Sequence, residues 1–291
     1  MLNRHLVITP VKDEEENIAK VMESMVEQTV PPSAWILVDD CSVDHTAEII
    51  RDFSKKNDWI TLVQLSEKGE RKRGAKISKL FQTGIESSEL EWDFCSKIDA
   101  DIILPGNYFE AIFHEFDADP MLGIASGNCF VEDNKGRRTV EKVESSHTRG
   151  ALKTYRRDCM EEFGGIREID GWDGIDNLEA QFHGWKTRNF EHILALHLRP
   201  TGIFEGKLRR NYNDGKKSHI LGYTWPYLIG KSVLRIGKWP FFLGSICILI
   251  GFINSKLSGL QTIDDIDLRK FIARKQYNRI KEIIFMKKKI D

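Results

Sequence analysis

Over the first 130 residues, apolar positions switch repeatedly between two periods. Short apolar runs at 6–9, 35–38, 60–64, 94–98 and 124–130 read as strands. Between them, apolar residues return at helical spacing. Ile18, Val21, Met22 and Met25 predict a helix over 18–27, and similar patterns predict helices over 46–53, 75–85 and 107–116. Strands separated by helices of this size imply an α/β fold with a mainly parallel sheet covered on both faces. In such a sheet the ligand crevice lies beyond the carboxyl ends of the strands. From about Glu132 the pattern loosens. Residues 133–136 read as a turn and 157–163 as a short helix stopped by Gly164 and Gly165. Residues 176–183 read as a helix stopped by Gly184, and 186–190 as a strand. Beyond Gly222 the chain reads as helices around an apolar stretch at 239–253, closed by a basic amphipathic helix at 268–285.

Charge changes this picture. The 291 residues can bury a large core with an appendage, and their net charge is only −1. That balance hides an uneven split. Residues 207–291 hold 18 Lys and Arg against 6 Asp and Glu, whereas the rest holds 25 against 38. A basic tail on an acidic body points to an anionic partner, either nucleic acid or an acidic membrane surface. The apolar stretch at 239–253, flanked by Lys238 and Lys256, selects the membrane over nucleic acid. Its 15 residues fall short of the ~20 that a perpendicular span needs, so an interfacial or re-entrant helix is expected. Five scattered cysteines without a CxxC pair suggest a reducing cytosol, and no signal peptide reads ahead of the first strand.

The polar motifs fall at the predicted strand ends. After 94–98 comes Asp99-Ala100-Asp101, which can project two carboxylates from one face of an extended segment. Hard oxygen ligands there suit Mg²⁺ or Mn²⁺ held together with substrate phosphates, although such a triplet alone is common in surface turns. The second strand runs into Asp39-Asp40-Cys41-Ser42-Val43-Asp44-His45-Thr46. Asp39 and Asp40 can accept from a base or a ribose, while Ser42, Asp44 and Thr46 are good helix caps. The first strand ends Thr9-Pro10-Val11-Lys12-Asp13-Glu14. A basic, glycine-bounded run at 67–76, with Arg73 and Lys76, leads into a helix and offers an anion site.

In this order, over about 100 residues, the four motifs resemble the inverting family-two glycosyltransferases of the GT-A fold. Tyr155-Arg156-Arg157, Phe163-Gly164-Gly165 and Gly171-Trp172-Asp173-Gly174-Ile175-Asp176 look like acceptor-side motifs of bacterial members, and Arg274-Lys275-Gln276 like part of their tail. The resemblance implies a Rossmann-like, mainly parallel mixed sheet flanked by helices. It implies a catalytic domain over 1–205, with the nucleotide sugar bound by 1–130 and the acceptor by 131–205. A helical, membrane-associating region would follow over 206–291.

The same resemblance implies roles. Thr9, Pro10, Val11 and Glu14 would line the base and ribose, and Asp40 would face the base with Asp39 beside it. Arg73 or Lys76 would approach the donor phosphates, Asp99 the ribose or a metal-bound water, and Asp101 would be the main metal ligand. A late histidine, here His197, can complete the metal site. Arg199, Arg209 and Arg210 would hold donor or acceptor phosphates in a loop containing Gly202, Gly206 and Gly215, with Trp172 on the acceptor side. In many members a Glu-Asp pair carries the base eleven residues before a glycine. Counting back from Gly184 reaches Asp173, preceded here by Trp172 instead of Glu. The base is left between Asp173, which is preferred, and Asp176, which also suits a helix cap.

The implied reaction moves a sugar from a nucleoside-diphosphate sugar, UDP being favoured, to an acceptor hydroxyl with inversion. The basic tail makes a lipid-linked saccharide the expected acceptor, at the inner face of the cell membrane, as in surface polysaccharide assembly. Two other readings compete. A sugar-1-phosphate nucleotidyltransferase would want a glycine-rich loop where Lys12-Asp13-Glu14 stands. A catalytically silent membrane scaffold would not need Asp99, Asp101 and a candidate base.

Overall fold

The structure is a computed structural model that describes residues 4–66, 73–141, 143–199, 206–237 and 239–287, with backbone alone at 73–74 and 283–287. The chain divides into two compact units, 1–200 and 201–291. The first unit runs β1 (His5–Val11), α1 (Ile18–Val26), β2 (Ala34–Asp39), α2 (Thr46–Ser54), β3 (Ile60–Gln64), α3 (Arg73–Glu86) and β4 (Phe94–Ile98). It continues β5 (Ile102–Ile103), α4 (Tyr108–Ala118), β6 (Leu122–Glu132), β7 (Arg138–Val140), β8 (Leu152–Arg156), α5 (Arg157–Glu162), α6 (Trp172–Phe182) and β9 (Lys186–His197).

One sheet in the order β3-β2-β1-β4-β8-β6-β9-β5 organises this unit, with β7 paired to β6. β3, β2, β1 and β4 are parallel. β8 enters antiparallel between β4 and β6, and β6 runs parallel to β9. The sheet is therefore mixed, with its parallel half where the sequence pattern was clearest. Helices cover both faces of that half. Val7, Val11, Trp35 and Leu37 join the α1 and α4 residues Met22 and Phe109 in one core, while Leu6, Ile8, Ile36 and Val38 join Leu80 and Phe81 of α3 in another. That is why β1 and β2 read as nearly continuous apolar runs.

Some elements depart from the pattern. β8 is Leu-Lys-Thr-Tyr-Arg, too polar to read as a central strand, yet Leu152 to Tyr155 are all buried. β9 continues past 190 to His197 through a register shift beside Gly127 and Asn128. α6 begins at Trp172, one turn before the expected 176, because Gly171 takes a positive φ of 87° and turns the chain into the helix.

The second unit holds α7 (Lys207–Ile220), α8 (Trp225–Arg235), α9 (Phe242–Leu257) and α10 (Ile266–Lys287). α7 corrects the expectation of a phosphate loop around Gly206 and Gly215. Gly215 lies inside this helix because α7 and α9 pack backbone to backbone. A Cβ on Gly215 would stand 2.0 Å from the Ile248 carbonyl oxygen, and one on Gly251 would stand 2.1 Å from that of Tyr212. Gly202, Lys238 and residues 67–72 of the basic run lie outside the described residues. No described helix is long and apolar enough to cross a membrane.

Candidate active site

Asp101 leaves β4 at the turn into β5. β5 pairs with the end of β9, with Ile102 opposite His197, and the Leu198 N–H donates to the Asp101 carbonyl at 3.0 Å. The pairing brings Asp101 Oδ2 to 3.6 Å from His197 Nε2. On the other side of the ring, His197 Nδ1 is 3.2 Å from Glu141 Oε2. Arg149 holds Glu141 at 2.8 Å. Arg199 reaches Asp101 at 3.1 Å and also pairs with Glu14.

This arrangement sets the charges. Burial pulls the His197 pKa down, but hydrogen bonds to Asp101 and Glu141 outweigh it and raise the value to about 9. Burial pushes Asp101 up, and His197 with Arg199 more than reverses that, leaving it below the usual carboxylate range. Glu14 moves up through burial, against Asn17 and Arg199. Asp101 and Glu14 thus face two cations in the ligand-free chain. The donor set fits a hard divalent ion, with one carboxylate oxygen and one imidazole nitrogen 3.6 Å apart. Neighbouring ligands of an octahedral ion with ~2.1 Å bonds stand about 3 Å apart, so a small adjustment suffices.

Asp99 is placed differently. It pairs with Lys97, whose ammonium also donates to the Gly150 carbonyl at 3.0 Å. The two carboxylates of the triplet therefore have separate partners.

At the end of β2 the two aspartates also divide. Asp39 is fully buried and spent on structure. Its Oδ1 accepts from the Ser42 N–H at 3.0 Å and the Ser42 hydroxyl at 2.5 Å, and its Oδ2 from Gln64 at 3.1 Å. It stands beside Asp40 with both oxygens already engaged. Asp40 Oδ2 pairs with Lys76 at 2.5 Å, while its Oδ1 is buried without a partner among the described residues. An orphaned carboxylate oxygen there is ready to accept from a base N–H.

The side chains of Thr9 and Val11 are likewise turned into the structure, leaving only their main chain to line a ligand. Thr9 is fully buried and accepts from the Trp35 indole at 2.9 Å, and Val11 belongs to the apolar core. Only Pro10 of this trio stays half-exposed at the strand end. Glu14 is fixed by Thr46, whose hydroxyl accepts its N–H at 2.7 Å. The side chain of Arg73 lies outside the described residues.

α6 supplies the third part. Asp173 stands in its first turn, where the helix dipole favours a carboxylate. It lies over Gly150, and a Cβ there would meet Asp173 Oδ2 at 2.9 Å. Gly150 links it to Lys97 and so to Asp99. Asp176, one turn on, is 1% exposed. Lys153 reaches both its oxygens, at 2.6 and 2.5 Å, and the Tyr155 hydroxyl donates at 2.6 Å. Lys153 also donates to the Asp173 carbonyl at 2.6 Å. Asp176 is neither a cap nor reachable by an acceptor; it anchors α6 to β8. Trp172 is buried as well, stacked on Phe81 at 6.3 Å, with the Lys97 and Lys153 ammonium groups 5.8 and 5.6 Å from its ring. It supports the two lysines and offers no surface to an acceptor.

Arg209 and Arg210 lie on α7 in the second unit, on a helix instead of a loop. Lys97, Lys153, Glu141 and Arg149 were not singled out from sequence. A lysine inside an otherwise apolar strand, as in Phe94-Cys95-Ser96-Lys97-Ile98, was the available signal, since lysines are rarely buried unpaired.

The glycosyl transferase family 2 model matches residues 6–168, which contain every strand of the parallel half. The chain belongs to glycosyl transferase family 2. A poly-β-1,6-N-acetyl-D-glucosamine synthase of Staphylococcus epidermidis is 30% identical over 243 residues, 76% of this chain and 56% of the relative. The chain thus spans about half the length of that synthase. Glycosyltransferase AglE of Haloferax volcanii is 25% identical over 264 residues, 85% of this chain and 80% of AglE. Among solved structures, mannosyltransferase PcManGT from Pyrobaculum calidifontis, in complex with GDP-Man and Mn²⁺, superposes with a TM-score of 0.57 at 16% identity. That match covers 90% of this chain and 77% of PcManGT, and it establishes the GT-A fold of this family 2 member.

Proposed function

We propose that this family 2 glycosyltransferase transfers a sugar from a nucleoside-diphosphate sugar to a saccharide hydroxyl, with inversion and with a divalent metal ion. The observation that carries the reading is Asp101 facing His197 at 3.6 Å, at the end of β4. Asp101 and His197 would hold the ion, and the bound ion would neutralise charge on the departing diphosphate. Asp40 accepts from the base through its free oxygen, and Asp99 takes the ribose. Lys76 or Arg73 would meet the donor phosphates, and Arg199 would turn from Asp101 to the donor once that charge is otherwise satisfied. Asp173 takes the proton from the acceptor hydroxyl as it attacks the anomeric carbon from the face opposite the leaving group. The Mn²⁺ and GDP-Man bound to PcManGT, and the polysaccharide made by the staphylococcal synthase, support this class of donor, ion and product.

The domain reading is a catalytic part over 1–205 and a membrane-facing part over 206–291, which makes a lipid-linked saccharide at the inner membrane face the favoured acceptor. The support is charge and apolar exposure in the tail. α9 spans about 24 Å at ~1.5 Å per residue, short of a ~30 Å bilayer core, which suits a helix lying in the interface.

Incubation of the chain with UDP-, GDP- and dTDP-sugars tests the enzyme reading. Slow hydrolysis of one donor class is expected with Mn²⁺ or Mg²⁺ and none with EDTA. Absence of hydrolysis or transfer from every donor would favour the silent scaffold.

A further inference from the structure

α9 is mainly apolar, with Asn254 and Lys256 near its end, and its two faces have different fates. Its small residues Gly244, Ser245, Gly251 and Ser255 are buried. Leu243, Ile246, Ile250, Ile253 and Leu257 follow at helical spacing on the other face and are exposed, Leu257 by 80%. α8 adds exposed Ile229, Val233 and Leu234. An apolar surface of this extent on a basic unit marks an interaction site.

Beside it lies a cavity of ≈ 590 Å³ whose walls combine Val233, Leu234 and Ile248 with Lys231, Arg235 and Arg279 and the single carboxylate of Asp214. Burial pushes the Lys231 pKa down, Asp214 opposes this, and Arg235 and Lys217 add to it. Polar atoms nearby are left over. Asn211 of α7 is fully buried, and neither its Nδ2 nor its Oδ1 has a hydrogen-bond partner among the described residues. The same holds for Arg235 Nε and Ser232 Oγ. Two of these donors converge. A Cβ on Gly244 would stand 2.8 Å from Asn211 Nδ2 and 3.5 Å from Arg235 Nε. Buried N–H donors without acceptors are costly, and an anionic oxygen satisfies several at once.

We propose that this cavity holds the phosphate of an anionic bilayer lipid, taken by Arg235 and Lys231, with the lipid chains along the exposed face of α8 and α9. Charge selects this occupant: residues 207–291 carry 18 basic against 6 acidic side chains. A neutral apolar partner would use the helix face but leave the buried Arg235 Nε donor unmet. The site rests on the membrane-surface part of the proposed function and adds a specific headgroup contact to it.

Flotation of the full chain with vesicles tests it. The wild type should float with phosphatidylcholine vesicles containing phosphatidylglycerol, and far less with phosphatidylcholine alone. Lys231→Gln/Arg235→Gln should weaken binding about tenfold beyond the control Lys270→Gln/Lys281→Gln, which removes equal charge elsewhere. If the first pair melts early, Arg235→Lys replaces it; this variant keeps the charge, loses the Nε donor, and should still bind several-fold more weakly. Equal losses in test and control pairs would overturn the lipid site and leave a diffuse basic surface. Failure of the wild type to float with any vesicle, including a case where inorganic phosphate alone raises its melting temperature, would overturn both the site and the membrane reading. Donor hydrolysis by the wild type is independent of either result.

Discussion

Asp173→Asn is expected to lower the transfer rate by roughly 10²–10⁴-fold, the usual contribution of a general base. Donor and metal affinity should stay within a few-fold of wild type. The amide keeps the size of the carboxylate, so its packing over Gly150 and the start of α6 should persist. What it loses is the ability to take a proton. Asp176 cannot substitute, because Lys153 and Tyr155 occupy its oxygens and it is 1% exposed. Single-turnover transfer with donor in excess separates the two effects. A rate within threefold of wild type would remove Asp173 from the chemistry.

Lys153→Met should be the most damaging single change to the first unit's stability. The side chain is fully buried and joins Asp176, the Asp173 carbonyl and the Trp172 ring. Its removal strands a buried carboxylate, a loss of about 3–5 kcal/mol. At roughly 2–4 °C per kcal/mol for a unit of this size, the melting temperature should fall by about 10 °C. Lys153→Met with Asp176→Leu should recover much of that loss, because apolar replacement of a whole buried pair is often neutral. Urea unfolding of the two singles and the double gives the coupling directly. A double variant no more stable than Lys153→Met would show that the pair does not carry the effect. The same substitution should also lower transfer, since Lys153 fixes the backbone of the proposed base.

The two halves of the sheet differ in how readable they are, and the reason is physical. β1, β2 and β4 are covered by helices on both faces, so their sequences are apolar runs bounded by turns. β8 lies equally deep, but Lys153 and Tyr155 are satisfied by Asp176 and Thr154 by Ser96 through hydrogen bonds, and such pairing across elements has no periodicity. β5, two residues long, exists only because β9 pairs with it. α6 starts a turn ahead of the expected 176 because Gly171, at positive φ, turns the chain into the helix. Gly215 also misled, since it serves close helix packing and not a loop.

The site shows a related division. Ordered motifs pointed to the ends of β1, β2 and β4. They could not separate Asp39 from Asp40 or Asp99 from Asp101, because partners distant in sequence decide each case. Ser42 and Gln64 consume Asp39, whereas Asp40 keeps one oxygen orphaned. Lys97 takes Asp99, whereas His197, 96 residues along, takes Asp101.

The most direct measurement is Mn²⁺ binding by electron paramagnetic resonance in the presence of a nucleoside diphosphate, with wild type and Asp101→Ala compared at equal fold content. The wild type should bind one ion per chain, and Asp101→Ala should bind at least about a hundredfold more weakly, beyond the loss seen when only a group supporting a metal ligand is removed. Equal Mn²⁺ affinity in the two proteins would contradict the assignment of Asp101 to the metal and, with it, the proposed diphosphate site.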